Sequence, residues 1–290
     1  MKKLLPILIV LIAISSISYY FYQDRRQKLI EKCLSEWENV STEPTIPSLL
    51  QFIENYSKCE KAPIAQIMLD SLQMEEMWIE TKKQNTIQAF LDFEDKYPDS
   101  KYQKELKKNI YELKMEKAWG DALSLNTKSG YKKFREDFPN SPYDDKAKTK
   151  IIDLVWKDAL AKNTKTDYEQ FRREYPNSPY DGKAITKIVD IIFAGQYGDK
   201  PPDEPVRIDK SSKVSTINIK NDTEYTLTIL YSGKQSKEIK IIPNGSSSIT
   251  FRIGHYRIAA FVSSPNVIPY AGVQDYLGGV YSSRFYISIL

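Results

Sequence analysis

Histidine occurs once and cysteine twice in 290 residues, and that scarcity removes most of the chemistry a protein can carry. One imidazole and two thiols cannot assemble a usual four-ligand zinc site. His255 has no Asp or Ser neighbour at a spacing known from nucleophilic triads. A phosphate-cradling glycine loop is missing, since Gly233-Lys234 stands without the rest of such a motif. Blocks of one charge are missing as well. The 42 Lys and Arg nearly balance the 38 Asp and Glu, leaving a formal charge of +4. With the two signs interspersed, nucleic acid is excluded as an expected partner. Adjacent acids such as Glu75-Glu76 and Asp144-Asp145 fall on helical positions expected to face water, not on a general acid–base site. The expectation is a non-enzymatic protein with no catalytic residue, no cofactor and no metal. A carboxylate-only hydrolase is the remaining enzymatic alternative.

The longest apolar run is at the N-terminus. Lys2 and Lys3 precede Leu4 to Ile17, which is almost wholly apolar, and Tyr19 to Tyr22 follow as a candidate interfacial belt before Asp24, Arg25 and Arg26. From Leu4 to Tyr22 the stretch approaches the roughly 20 residues a helix needs to cross a bilayer. Residues 1–26 are therefore expected to form a signal-anchor, a single transmembrane helix with the bulk of the chain on the non-cytoplasmic side. The alternative is a signal peptide cleaved after the small residues Ser16-Ile17-Ser18, which leaves a periplasmic or secreted protein. No Cys follows the run, which excludes a lipid anchor of the bacterial lipoprotein kind.

Internal periodicity decides the next segment. Trp37, Trp78, Trp119 and Trp156 are spaced by 41, 41 and 37 residues. A Phe lies 15 residues after each Trp (Phe52, Phe93, Phe134, Phe171), and an aromatic lies four further on (Tyr56, Tyr97, Phe138, Tyr175). Phe193 opens a last half-unit. Each unit reads as a long helix and a short one. Ser141-Pro142-Tyr143-Asp144 and Ser178-Pro179-Tyr180-Asp181 suggest Ser N-caps with Pro at the first helical position, and Thr164 or Thr166 suggests the cap of a short helix. The position four before each aromatic is Cys33, Met74, Met115, Ile152 or Val189, so Trp37, Trp78, Trp119, Trp156 and Phe193 are expected to be repeat core on a stacking seam. An aromatic stripe that binds a ligand is the competing reading. Cys33 and Cys59 fall near the same end of the first pair, where an oxidising compartment allows a disulfide between them. The alternative is two free thiols.

The motif Phe-x-x-x-Tyr/Phe-Pro-x-Ser-x-Tyr, at 93–102, 134–143 and 171–180, resembles the tetratricopeptide-like repeats of bacterial envelope proteins of the BamD and CpoB type. The resemblance spans about residues 27–195, is weak in the first unit, and implies an α-solenoid of antiparallel helix pairs that works on protein partners. The unit is longer than the usual 34 residues of such repeats.

After Phe193 the composition changes. Residues 197–213, with Pro201, Pro202 and Pro205, are expected to be a stiff linker after helical repeats at 27–196. Alternating runs at 214–220, 224–231, 238–242, 247–252, 256–262 and 281–289, broken by turn residues, predict an antiparallel β-sandwich of immunoglobulin or transthyretin type at 214–290. The irregular stretch 263–279 is expected to be a long loop where Tyr270, Tyr276 and Tyr281 form a contact surface for a peptide or glycan. Alternatively 267–273 is another strand and the tyrosines are core or rim. The fold class is thus α then β in separate domains behind a membrane helix. The expected function is a cell-envelope scaffold for protein–protein interaction. The alternative is a glycan or cell-wall binding module in the β domain, with the helices as spacer.

Overall fold

The computed structural model describes residues 4–264 and 266–287, and the side chains of all of these but 4–12. Lys2 and Lys3 of the expected signal, Pro265, and the end of the expected closing strand at 288–289 lie outside the described residues. So do the side chains of the first half of the apolar run. Among the described residues no helix is long and apolar enough to cross a membrane.

An N-terminal helical region is followed by a β region. The helices are α1 (Leu4–Thr42), α2 (Ile46–Asn55), α3 (Ala62–Gln84), α4 (Ile87–Lys96), α5 (Gln103–Leu125), α6 (Lys128–Asp137), α7 (Asp144–Lys162), α8 (Lys165–Glu174) and α9 (Asp181–Ala194). The strands are β1 (Gly198–Asp199), β2 (Glu204–Ile208), β3 (Val214–Asn221), β4 (Leu227–Gly233), β5 (Lys237–Ile241), β6 (Ser246–Arg252), β7 (Gly254–Val262), β8 (Tyr270–Tyr276) and β9 (Gly279–Phe285). The chain divides into two compact units, 1–118 and 119–290.

The long helices α3, α5 and α7 stop for a local reason. Asn85, Asn126 and Asn163 take left-handed backbone at φ 48°, 45° and 51°, a conformation that Asn tolerates and that ends a helix. The following Thr caps the short helix. Thr86, Thr127 and Thr164 each accept a backbone N–H at 3.1 Å, from Ala89, Gly130 and Asp167. Ser141 and Ser178, expected as N-caps, do not cap. Tyr143 and Tyr180 occupy the N-cap positions without a side-chain cap bond, and the hydroxyls of Ser100, Ser141 and Ser178 are buried without a partner. The Ser-Pro step is a turn, with Asp144 N–H donating to the Ser141 carbonyl at 3.0 Å and Asp181 N–H to Ser178 at 3.1 Å.

That turn delivers the next tyrosine onto the tryptophan of its own unit. Trp78 stacks on Tyr102 at 4.6 Å, Trp119 on Tyr143 at 5.0 Å and Trp156 on Tyr180 at 5.2 Å, all within 11° of parallel. The Phe that follows each Trp tilts against the indole at 4.9–5.2 Å. The Tyr180 hydroxyl donates to Asp153 at 2.8 Å, and Tyr102 bonds Glu75 at the equivalent place. In the first unit, Cys33 is buried among Leu49, Phe52, Ala65 and Leu69 beside Trp37, and it is joined to Cys59 by a disulfide.

In the second unit the β region forms two mixed sheets, ordered β1-β8-β7-β4-β5 and β2-β9-β3-β6. A purely antiparallel sandwich does not form, because β3 lies parallel to β9 and β1 parallel to β8. Parallel neighbours need a long connection, so hairpin turn signals along the sequence do not reveal them. Facing residues of both sheets build one core, including Ile217, Ile219 and Phe251 from one and Ile229, Tyr231 and Ile258 from the other. The stretch 197–213 is not a linker. It supplies β1 and β2, and Lys200 and Asp203 in it are buried. Helix α9 joins this body too: Ala184, Ile185, Ile188 and Ile192 cluster with Leu230, Ala259 and Ala271 of the five-stranded sheet.

Candidate functional site: a cleft between the last helices and the five-stranded sheet

Helix α8 buries Tyr168 and Phe171 against Trp156, which leaves Glu169, Arg172 and Arg173 on another face. Strand alternation does the complementary work in the sheet. Thr228 of β4 pairs with Lys240 of β5 and Phe261 of β7, and Leu230 pairs with Glu238 and Ala259. Opposed residues share a face, and Leu230 and Ala259 place it under α9. The result is a cleft of about 600 Å³ lined by α8, by Ile188 of α9 and by that sheet face.

Its floor is apolar (Ile188, Leu230, Phe261) and its rim carries both charges. The Arg172 guanidinium is the central tie. Its Nε donates to Asp181 at 2.8 Å and its Nη1 to Glu238. Glu238 also takes Lys240 at 2.9 Å. Burial pushes the Glu238 carboxyl up, but the Lys240 and Arg172 bonds outweigh it and hold the group below its ordinary range. Lys165 covers the Phe261 ring at 4.1 Å. No Ser, Cys or His is among the described lining residues. The cleft thus offers apolar contact at its floor and charged hydrogen-bonding groups at its rim.

No motif in the sequence marks this cleft. A partial signal was present: Arg135 and Arg172 each follow the repeat Phe, and Asp144 and Asp181 each follow the repeat Tyr, and these pair at 2.7 and 2.8 Å. What no spacing reveals is that the last such Arg also meets Glu238, 66 positions on.

The expected tyrosine surface is not formed. The irregular stretch holds β8, and Tyr276 and Tyr281 are 1% and 3% exposed core residues; only Tyr270 is half-buried. Strand alternation turns the first two inward, and their hydroxyls find partners there: Tyr276 donates to Asp203, and Tyr281 accepts the Leu277 N–H at 3.0 Å. Burial drives the Tyr276 phenol far above its ordinary pKa, with Asp203 adding to the shift. Of the repeat aromatics, Trp78 and Trp156 are buried, whereas Trp37, Trp119 and Phe193 are half-buried. Phe193 carries the Arg257 guanidinium over its ring at 4.2 Å. His255, which had no partner by spacing, receives Asp275 at 2.8 Å through the β7–β8 register, on an exposed surface. No group of three or more His, Cys, Asp or Glu is placed to hold a metal among the described residues.

A family described as a domain of unknown function (DUF6759) matches residues 179–271. That span takes in α9, β1 to β7 and the first two residues of β8, so it includes the helix that contributes Ile188 to the cleft. No curated protein matches the chain.

Proposed function

We propose that this protein is a non-enzymatic interaction scaffold of the bacterial cell envelope, that the cleft between α8, α9 and the five-stranded sheet is where it holds a protein partner, and that an N-terminal anchor keeps the bulk of the chain on the non-cytoplasmic side. The observation that carries the reading is the cleft, with its apolar floor and its two-signed rim. The Cys33–Cys59 disulfide supports the location, because such bonds persist in oxidising compartments. The tetratricopeptide-like pattern, which resembles that of the BamD and CpoB type, supports partner binding by the helical region. The glycan alternative relied on Tyr270, Tyr276 and Tyr281, and two of these are core.

The test places a photoreactive amino acid at Arg173 or Lys240 in the full chain in its native host. A discrete protein adduct from both sites, absent when the probe sits at exposed Lys107, is the expected result. Adducts of equal yield from all three positions, or none, would sink the cleft assignment. Location is read separately. Protease added to intact spheroplasts should digest 27–290 and leave the N-terminal peptide in the membrane. Full protection would place the chain inside, and a soluble form beginning at Tyr19 would mean cleavage.

A further inference from the structure

The most unusual chemistry in the molecule lies away from the cleft, inside the β core. Lys200 and Asp203 are an ion pair whose side chains are 3% and 0% exposed. Burying two charges is costly even when they are paired, and nothing in a scaffold requires it. Each group is also held in a fixed orientation. The Lys200 ammonium donates to Asp203 Oδ1 and to the Pro201 carbonyl at 2.9 Å, and it sits over the Phe285 ring. Asp203 Oδ2 receives the Tyr276 hydroxyl, so the two carboxylate oxygens have different partners. The backbone is pinned as well: Lys200 N–H donates to Ala271 at 2.8 Å, and Asp203 N–H to the Gln274 side chain at 3.2 Å.

From this arrangement we infer that Lys200 and Asp203 condense into an internal amide cross-link. A nitrogen hydrogen-bonded to Oδ1 stands one bond from the electrophilic Cγ, and such fixed proximity replaces a bimolecular encounter. The ammonium passes one proton to Oδ1, leaving a neutral amine and a neutral carboxylic acid. The Nζ lone pair attacks Cγ, and the charge that develops on Oδ2 is met by the Tyr276 hydroxyl already bonded to it. A second proton moves from nitrogen to Oδ1, the Cγ–Oδ1 bond breaks, and water leaves. Two charges are lost from the core, one Nζ–Cγ bond is made, and no oxidant, reductant or co-reactant is consumed. Tyr276 touches a reacting atom throughout and is a catalytic residue of this self-modification.

Intact mass of the full chain decides the matter. The expected mass is lower than that of the sequence with its disulfide by one water molecule, in a fraction that grows on incubation. A succinimide at an Asp would lose the same mass, so a second readout is needed. After complete unfolding, an amine reagent should label the lysines but spare Lys200, and fragmentation should give no backbone cleavage between residues 200 and 203. Lys200→Arg should have the mass of its sequence whether or not it folds well. Tyr276→Phe, which keeps the ring, should convert at least tenfold more slowly. A wild-type chain of full mass whose Lys200 is labelled after unfolding overturns the inference, as does a water loss that persists in Lys200→Arg. Conversion of Tyr276→Phe at the wild-type rate overturns the role given to the phenol.

Discussion

At the scale of single residues, stability rests on a few ties that span the sequence. The Cys33–Cys59 bond closes a separation of 26 residues, for which the chain-entropy account gives about 3.5 kcal/mol. Replacing both with Ser should lower the unfolding free energy of unit 1 by about that much, as read from denaturant midpoints. Alkylation of the unfolded wild type without reductant should label neither thiol. Glu238 gives a pH-dependent contribution. Its carboxyl is held below the ordinary range by Lys240 and Arg172 despite the opposing effect of burial. The unfolded group titrates near the ordinary value of about 4.3. Its stabilisation is therefore complete above that pH and is lost as pH falls through the lower folded value. The stability difference between wild type and Glu238→Gln should be constant from neutrality to about pH 5 and shrink below about pH 4. A difference that grows on acidification would refute the assignment.

At the scale of elements, the units of Trp78, Trp119 and Trp156 each clamp the tryptophan between the Phe of the short helix and the Tyr that opens the next long one. Trp78 is 1% exposed between Phe93 and Tyr102, so Trp78→Ala should cost about 3–5 kcal/mol. Half-buried Trp119 should cost less on truncation, and thermal melts followed by circular dichroism would rank the two. The Thr caps are smaller contributors: Thr164→Ala removes an acceptor for Asp167 N–H and should cost about 1 kcal/mol. In the β region the β8–β9 turn depends on Gly279. It sits at φ 93°, and a Cβ there would lie 2.0 Å from the Arg207 carbonyl oxygen. Gly279→Ala should destabilise the β region more than any of the cap substitutions, because both backbone conformation and β2 must give way.

At the scale of the whole second unit, the β region does not end where its strands do. Ile188 and Ile192 of α9 are 0% and 6% exposed in a cluster that includes Leu230, Ala259 and Ala271 of the sheet. A fragment of residues 214–290 lacks α9, β1 and β2 and exposes both an apolar sheet face and the edge of β9 that β2 pairs with. It should show no cooperative unfolding, whereas 119–290 should unfold in one transition by both heat and denaturant. A cooperative melt of the shorter fragment would mean that α9 is merely docked. The matched span of 179–271 likewise begins just before α9.

Whatever repeats at short range was legible in the sequence. Tryptophan spacing located the helical units, and alternation located β3 to β7 to within a few residues, because periods of 3.6 and 2 depend only on which face of one element is buried. The positions of Trp78 and Phe93 in a core follow from the same local rule. Contacts between distant segments were not legible. Tyr276 and Asp203 are 73 positions apart, and Arg172 and Glu238 are 66 apart; neither pair belongs to a period or a motif. The strands β1 and β2 were hidden because Pro201, Pro202 and Pro205 read as a linker, and an edge strand tolerates Pro where a central one does not. The sequence by itself thus determined the helical units, most of the strands and the absence of familiar catalytic motifs. Tertiary structure alone decided the parallel pairings, the membership of α9, the cleft and the buried Lys200–Asp203 pair, because each arises where segments far apart in the chain exclude water from one another.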